Sequence, residues 1–175
     1  MITLYSDTVA RLERADWLVP TLARVVFVLV FLFYFLNSAS LKIEGSIFSP
    51  SAGAFGQIFP KAAEAVLWDV TQMNIFQRLV IFAGTVAEYV LPVLIVLGLL
   101  TRLAALGLIG FTLVQTLVDV TGHGVSLGQW LNNAPELIDE RTLWIFLFAV
   151  LLIKGAGPLS VDRVLSMMFK RPAQD

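Results

Sequence analysis

Long apolar runs are the feature that most constrains this chain. From Trp17 to Leu36 the sequence reads "WLVPTLARVVFVLVFLFYFL", with a single charge at Arg24. Because an α-helix rises 1.5 Å per residue, this run makes a helix about 30 Å long, the thickness of the hydrocarbon core of a bilayer. The run therefore predicts a membrane-spanning helix.

Three further runs follow, and together they predict an all-α membrane protein with four transmembrane helices in an antiparallel bundle. Only the dipeptide "TR" separates the second and third runs, and so short a turn makes their helices antiparallel neighbours. The fourth run is the shortest, and three alternatives are open: its helix tilts little, extends back into the preceding loop, or depends on snorkelling by Arg141 and Lys154. Within a single domain, 1–175, the predicted spans cover about 17–38, 79–100, 103–120 and 141–156.

Segments outside the spans include candidates for short interfacial helices. Residues 1–16 are consistent with either an amphipathic lead-in or a frayed terminus. Within the polar connection 40–78, the stretch "PKAAEAVLWDV" starts with proline and continues with helix formers, which favours a short helix in a structural collar. After the last span, Ser160 as cap and Asp162 in the first turn predict a basic amphipathic tail helix, with a plain surface tail as the alternative.

The first span also has the length of a signal-peptide core, and small residues follow it. Three acidic groups precede the run from Val25, and Asn37 stands three positions before a cut after Ala39. Both features argue against cleavage, so the first span is expected to be retained.

The distribution of Lys and Arg near the span ends predicts the orientation. One side holds eight of these residues: Arg11, Arg14, Arg24, Arg102, Lys154, Arg163, Lys170 and Arg171. The other side holds four: Lys42, Lys61, Arg78 and Arg141. This excess predicts a multi-pass protein of the cell (inner) membrane with both termini in the cytoplasm. The lipid bilayer is therefore an expected partner.

Composition excludes several function classes. Hydrophobic residues make up 58% of the 175 and charged residues 14%, against about 25% charged in soluble domains. The net charge of -1 leaves no basic face for nucleic-acid phosphates. The chain has no Cys and its one histidine is His123, so no haem, metal or iron–sulfur cluster is predicted within it. His123 is expected to be a solvated loop residue.

Two ionisable side chains lie inside the predicted spans, Arg24 and Glu88. Each costs at least about 2.5 kcal/mol in the middle of a membrane unless it finds a partner. Their positions differ in depth by roughly 12 Å, so an Arg24–Glu88 pair is strained unless Pro92 kinks the helix. The alternative is a protonated, neutral Glu88 that donates a hydrogen bond to a quinone carbonyl or passes a proton. The sequence leaves both open.

The third span carries a polar stripe, because four polar residues recur at helical spacings of three and four. They are Thr112, Gln115, Thr116 and Asp119. Such a stripe either joins helices to each other or lines a path. We take as candidates for a buried polar site or a quinone contact Arg24, Glu88, Gln115 and Asp119.

Two stretches resemble the DoxX family of small four-helix membrane proteins: "EYVLPVLIVLGLLTRLAALGL" from Glu88, and "GAGPLSVD" from Gly155. The residues that fill the family pattern are Arg24, Lys42, Glu88, Gly98, Thr101, Arg102, Ala104, Ala105, Gly155, Gly157, Ser160 and Asp162. Structural roles are expected at Lys42, Pro92, Gly98, Arg102, Gly155, Gly157 and Asp162. The chain departs from the pattern in its longer, more polar first connection and in the order of glycine and proline after the last span.

The resemblance implies a membrane subunit linked to redox work, since family members are associated with a quinol oxidase or a thiosulfate:quinone oxidoreductase, and others with complexes that handle oxidative stress. A chain without haem or thiol ligands is then expected to be a small, not independently catalytic subunit of a quinone-linked oxidoreductase. It would contribute a buried polar site, with quinone as cofactor and other proteins as partners. The alternatives are a non-catalytic membrane anchor or assembly factor and, less favoured, a permease for small solutes or ions.

Overall fold

The computed structural model describes residues 6, 9–10, 15–131 and 134–169. Most of the N-terminal lead-in and the basic end of the tail lie outside these residues. Val28–Leu32 is a π-helical segment inside the first long helix, and Val70–Gln72 forms a single 3-10 turn. In chain order the elements are α1 (Leu18–Leu41), β1 (Ile43–Glu44), β2 (Ser46–Pro50), α2 (Ala52–Ile58), α3 (Pro60–Ala65), α4 (Ile75–Leu97), α5 (Thr101–Gly122), α6 (Leu137–Lys154) and α7 (Val161–Phe169).

Among the described residues, three helices, α1, α4 and α5, are long and apolar enough to cross a membrane. This confirms a helical membrane protein, but the predicted count of four apolar spans is not confirmed. The sequence predicts the fourth span at about 141–156, whereas α6 begins at Leu137 and has 18 residues. It starts early because the Glu136 N–H donates to the Asp139 carboxylate at 3.0 Å, half of a capping box. The α6 helix differs from the three apolar helices in carrying four charged residues: Asp139, Glu140, Arg141 and Lys154.

The four long helices form a ring in the order α1, α4, α5, α6, each in contact with the next and α6 with α1. The sharp α4–α5 turn depends on Gly98, which has a φ of 66°. Glycine adopts this left-handed conformation without steric cost. A side chain at Gly98 would also collide with Ser160. The predicted antiparallel pairing of α4 and α5 follows from this turn.

Aromatic rings fill the space between α1 and α6. Phe27, Phe31 and Phe35 recur every four residues and so share one face of α1. The Phe31 ring lies 5.0 Å from that of Trp144 and 5.2 Å from that of Phe148, measured between centroids. These distances are typical of favourable edge-to-face and tilted contacts. This side of the bundle is therefore closely packed.

The connection from α1 to α4 is a folded collar, residues 43–74, that packs against the first half of α4. The sequence correctly predicts a helix in "PKAAEAVLWDV", which is α3, but misses the short antiparallel β1–β2 hairpin and α2. Phe55 of α2 and Met73 are buried against Ile81 of α4. The collar therefore covers part of the first half of α4.

Ser51 and Asp69 each stabilise the collar through hydrogen bonds to nearby groups. Ser51 caps α2 by accepting from the Ala54 N–H at 3.1 Å, and its hydroxyl donates to the Leu41 carbonyl at 2.8 Å. Asp69 accepts from the Thr71 hydroxyl at 2.7 Å and the Thr71 N–H at 2.9 Å. These bonds hold the pKa of Asp69 below its usual range because they favour the carboxylate.

The tail after α6 is helical, as the sequence predicts. Ser160 caps α7 by accepting from the Arg163 N–H at 3.2 Å. The location of α7 on a membrane surface stays a prediction. The chain leaves α6 through Gly155 and Gly157, both at positive φ.

Candidate functional site

Glu88 is paired with Lys42. The Lys42 Nζ lies 2.8 Å from Oε1 and 2.7 Å from Oε2 of Glu88, and the Ser38 hydroxyl donates to Oε1 at 2.9 Å. The Lys42 and Glu88 side chains are only 5% and 3% exposed. A buried carboxylate is stable when an opposite charge and hydrogen bonds compensate for the lost water, and Glu88 has both.

The position of Lys42 explains this pairing. Lys42 follows the last residue of α1, and Ser38 lies one turn earlier on the same face, so the ammonium also donates to the Ser38 hydroxyl at 2.6 Å. The long lysine stem lets the charge reach back along α1 towards the middle of α4. The sequence predicts only a structural role for Lys42. Its four-residue spacing from Ser38, which places the two side chains on one helix face, could have indicated a shared polar site.

Arg24 does not contact Glu88. Its guanidinium donates to four backbone carbonyls, two at the end of α4 and two in the chain after α6: Ile95, Val96, Ala156 and Leu159. The Nε–Ile95 oxygen distance is 3.0 Å. Ile95 lies seven residues beyond Glu88, about 10 Å along the helix, which is why the strained Arg24–Glu88 pair does not form.

A second, partly buried ion pair joins α5 to α6. Arg141 Nη2 lies 2.8 Å from Asp119 Oδ2, with the two side chains 9% and 27% exposed. The Arg141 Cζ also lies 4.4 Å from the centroid of the Trp144 ring, a cation–π contact. A carboxylate on the neighbouring helix thus partly compensates for the Arg141 charge, and snorkelling of Arg141, one of the alternatives for this short span, stays a prediction.

A cleft of about 460 Å³ lies between α4 and α5, and α2 of the collar closes part of it. Glycines help to create it, since a Cβ at Gly84 or Gly110 would have no neighbour within 4 Å. Its lining residues are mostly apolar or small: Lys42, Gln57, Ile58, Val80, Ala83, Gly84, Ala87, Glu88, Leu91, Gly107, Gly110, Phe111, Val114, Gln115, Val118 and Asp119.

The cleft brings together three of the four sequence candidates, Glu88, Gln115 and Asp119, while Arg24 lies elsewhere. Lys42 joins them. The Gln115 Nε2 donates to the Tyr34 hydroxyl at 2.9 Å, and its Oε1 is buried without a hydrogen-bond partner. A buried polar atom without a partner costs about 1–3 kcal/mol. Gln115 is therefore incompletely satisfied in the described structure.

The threonines of the predicted stripe have a different role. The Thr112 hydroxyl donates to the Leu108 carbonyl at 2.8 Å, and the Thr116 hydroxyl donates to the Thr112 carbonyl at 2.7 Å. Both bonds run back to the preceding turn of the same helix, a common arrangement for buried hydroxyls. The stripe thus divides into two residues that line the cleft and two that bond within α5.

The charges around the cleft balance. Its carboxylates are those of Glu88 and Asp119, and each has a cationic partner in Lys42 or Arg141. A charged ligand would lose its hydration on entering a cleft with mostly apolar walls. Since the charges around the cleft are already paired with each other, this loss would not be compensated. The cleft is therefore suited to a neutral ligand that is largely apolar.

Residues expected to have structural roles gather at the opposite end of the bundle. The Asp162 carboxylate accepts from the backbone N–H groups of Leu100 at 2.7 Å and Thr101 at 3.0 Å, so it caps α5. At Gly157 an added Cβ would lie 3.3 Å from Pro20 at the start of α1. Arg102 is exposed.

Pro92 and His123, which the sequence also singles out, have simple local surroundings. Pro92 is buried, and α4 continues through it without ending. His123 is exposed, as expected for a loop histidine, and its Nε2 lies 2.8 Å from the Gln57 carbonyl oxygen.

The fold and the cleft define a helical, multi-pass membrane protein with a neutral cleft between two antiparallel helices. A protein-family model, DoxX, matches residues 19–124, which is more than half of the chain. The chain belongs to the DoxX family. The matched region includes Arg24, Lys42, Glu88 and all residues that line the cleft. It ends at residue 124, before α6 begins. No curated protein and no solved structure matches the chain.

Proposed function

We propose that this chain is a small subunit of a quinone-linked oxidoreductase in the cell (inner) membrane, with four spans and both termini cytoplasmic. The excess of Lys and Arg at one end supports the orientation. Packing of α6 against both α1 and α5 supports a fourth span. Pairing of Arg141 with Asp119 removes part of the cost of burying the charged start of α6.

The observation that carries the proposal is the neutral, mostly apolar cleft between α4 and α5. Its volume of about 460 Å³ lies within the roughly 300–1,000 Å³ typical of small-molecule sites. A quinone has an uncharged, apolar ring with polar oxygens and a lipid-soluble tail, so it fits walls of this composition. Glu88 lies fourteenth of the 23 residues of α4, at a depth that a ligand dissolved in the bilayer can reach.

Three side chains of the cleft would hold the quinone, which when bound would supply the electron-transfer chemistry that this chain lacks. Gln115 would orient the ring through its amide, whose unpartnered oxygen could accept from a hydroxyl of the reduced quinol. Glu88 would accept or release a proton, with Lys42 and Ser38 holding its carboxylate in place. Asp119 would close the end of the cleft near the collar.

Quinone bound to the purified protein tests this proposal. The protein is extracted in mild detergent with its partner complex, and co-purified quinone is measured by chromatography and mass spectrometry. Gly110→Leu should remove the quinone, because a leucine there would fill space that is empty of protein atoms. Gly53→Leu on α2 is the matched control, since this glycine is also helical and exposed but does not line the cleft. An intact wild-type complex without quinone would overturn the proposal.

A second candidate is a non-catalytic anchor or assembly factor. The complete pairing of Glu88 with Lys42 and Ser38 favours it, because such a group already has a structural role. Glu88→Gln separates the candidates: unchanged assembly with lost activity supports a role at the quinone, whereas unchanged assembly and activity supports the anchor. The permease has less support, since the Thr112 and Thr116 hydroxyls bond within α5. Solute flux into liposomes unaffected by Asp119→Asn and Gln115→Leu would argue against it.

A further inference from the structure

A second concavity lies at the Arg24 end of the bundle, where α1 meets the end of α4. This groove has a volume of about 300 Å³ and shares no lining residue with the cleft. Its lining residues are Thr21, Arg24, Val25, Val28, Leu29, Val96 and Leu159. Apart from Thr21 and Arg24, its walls are apolar.

Arg24 brings a positive charge without a paired carboxylate to this groove. Over residues 15–131 and 134–169 the ion pairs within 4 Å are Lys42–Glu88 and Asp119–Arg141, and neither includes Arg24. Asp162 attracts Arg24 electrostatically from beyond 4 Å, while both of its carboxylate oxygens accept from the start of α5. The groove therefore has a cation whose hydrogen-bond partners are all neutral.

The guanidinium retains hydrogen-bonding capacity. Arginine has five N–H donors, and four of those of Arg24 bind backbone carbonyls. The remaining N–H is on Nη2. The four carbonyl bonds hold the guanidinium plane in one orientation, so little conformational entropy is lost when an anion binds. Guanidinium groups bind phosphate oxygens particularly well.

The depth of the groove and its walls indicate what kind of anion fits. Arg24 is the seventh residue of α1, which places it about 9 Å from the start of the helix, within reach of lipid headgroups. Val25, Val28 and Leu29 extend the groove along α1, where an acyl chain would lie. A free phosphate would gain nothing from these side chains, whereas a lipid would.

We propose that this groove binds one anionic phospholipid, with its phosphate on Arg24 and an acyl chain along α1. The site is independent of the quinone proposal, since it is at the other end of the bundle. Bound lipid would compensate for the charge of Arg24 and join α1 to the end of α4. The occupant is thus a lipid of the surrounding bilayer rather than a protein partner.

Native mass spectrometry of the full chain tests the groove. The protein is equilibrated with equal amounts of phosphatidylglycerol and phosphatidylcholine, and retained lipids are counted. We expect a preference for phosphatidylglycerol of about fivefold, the effect of one basic residue at an anionic membrane surface. Val25→Trp should abolish the preference by filling the groove. Val26→Trp should keep it, because Val26 is similarly exposed, 44% against 49%, but does not line the groove.

Three results would overturn the proposal. One is equal retention of the two lipids by the wild-type protein. Another is the same preference in the Val25→Trp and Val26→Trp variants. The third is displacement of phosphatidylglycerol by millimolar inorganic phosphate, which would show that the acyl chain contributes nothing. Because Arg24→Gln also removes structural hydrogen bonds of Arg24 and is expected to destabilise the protein, the test relies on the two tryptophan variants.

Discussion

The two ends of the bundle each hold a cation from α1 but stabilise it differently. At one end Lys42 binds a carboxylate in the middle of α4, and a cleft remains beside the pair. At the other end Arg24 binds backbone carbonyls from α4 and from the chain after α6. The Lys42 charge is neutralised by another side chain, whereas the Arg24 charge holds together separate parts of the main chain.

This difference determines what can replace each cation. A buried ion pair can often be exchanged for two apolar residues at little cost, although loss of one partner is expensive. Backbone carbonyls cannot be removed by substitution, so loss of Arg24 takes a donor from all four, although the Ile95 carbonyl still accepts from the Gly98 N–H. The Lys42 end should therefore tolerate a double substitution, and the Arg24 end should tolerate none that removes the donors.

The largest expected effect is that of Glu88→Leu. It leaves the Lys42 ammonium buried without its counter-ion and should lower the free energy of unfolding by about 3–5 kcal/mol. The double variant Lys42→Met/Glu88→Leu should recover most of this loss, because no buried charge remains. Denaturant unfolding in detergent measures both. If the double variant were as unstable as the single one, the contrast between the two ends would fail.

Arg24→Met should lower the free energy of unfolding by about 2–3 kcal/mol, since it leaves several carbonyls unpaired. Arg24→Lys should recover only part of this loss, because an ammonium has three donors and lacks the planar fork. Arg102→Met is the control, since Arg102 is exposed at the same end and should change stability by less than about 0.5 kcal/mol. Full recovery by lysine would show that the charge, rather than the carbonyl bonds, matters.

Asp162→Ala should destabilise the protein by about 1 kcal/mol, the usual cost of losing a helix cap. The cause is the loss of two bonds to the start of α5, at Leu100 and Thr101. Asp162→Asn should cost less, because its amide oxygen can still accept one of them. Glu64→Ala, an exposed acid on α3, is the matched control. Equal thermal stability of Asp162→Ala and Glu64→Ala would contradict the role of Asp162 as a cap.

The smallest effect should be a gain. Gly84→Ala is expected to stabilise α4 by up to about 1 kcal/mol, the difference in helix propensity between the two residues, because the new Cβ meets no neighbour within 4 Å. Gly107→Ala should gain less, since its Cβ would lie 3.0 Å from a Leu91 methyl group. Equal melting temperatures for the two variants would indicate that the cleft is not open at Gly84.

Part of the candidate site could be predicted from the sequence. Gln115 and Asp119 follow from helical spacing on α5, and Glu88 follows from the cost of a carboxylate in an apolar run. Lys42 was harder, because it lies beyond the end of the first apolar run. The pairing of Arg141 with Asp119 was not predicted, because the two residues lie on different helices.

The sequence by itself determined the helical membrane class, the antiparallel turn between α4 and α5, and the presence of buried charges that require partners. These properties depend on local composition and spacing. Only the tertiary structure decided that Lys42 rather than Arg24 binds Glu88, that Asp162 caps α5, and that a cleft remains beside Gly84 and Gly110. Such pairings depend on how packed helices are rotated and staggered, and on how far long side chains reach across the contacts between them.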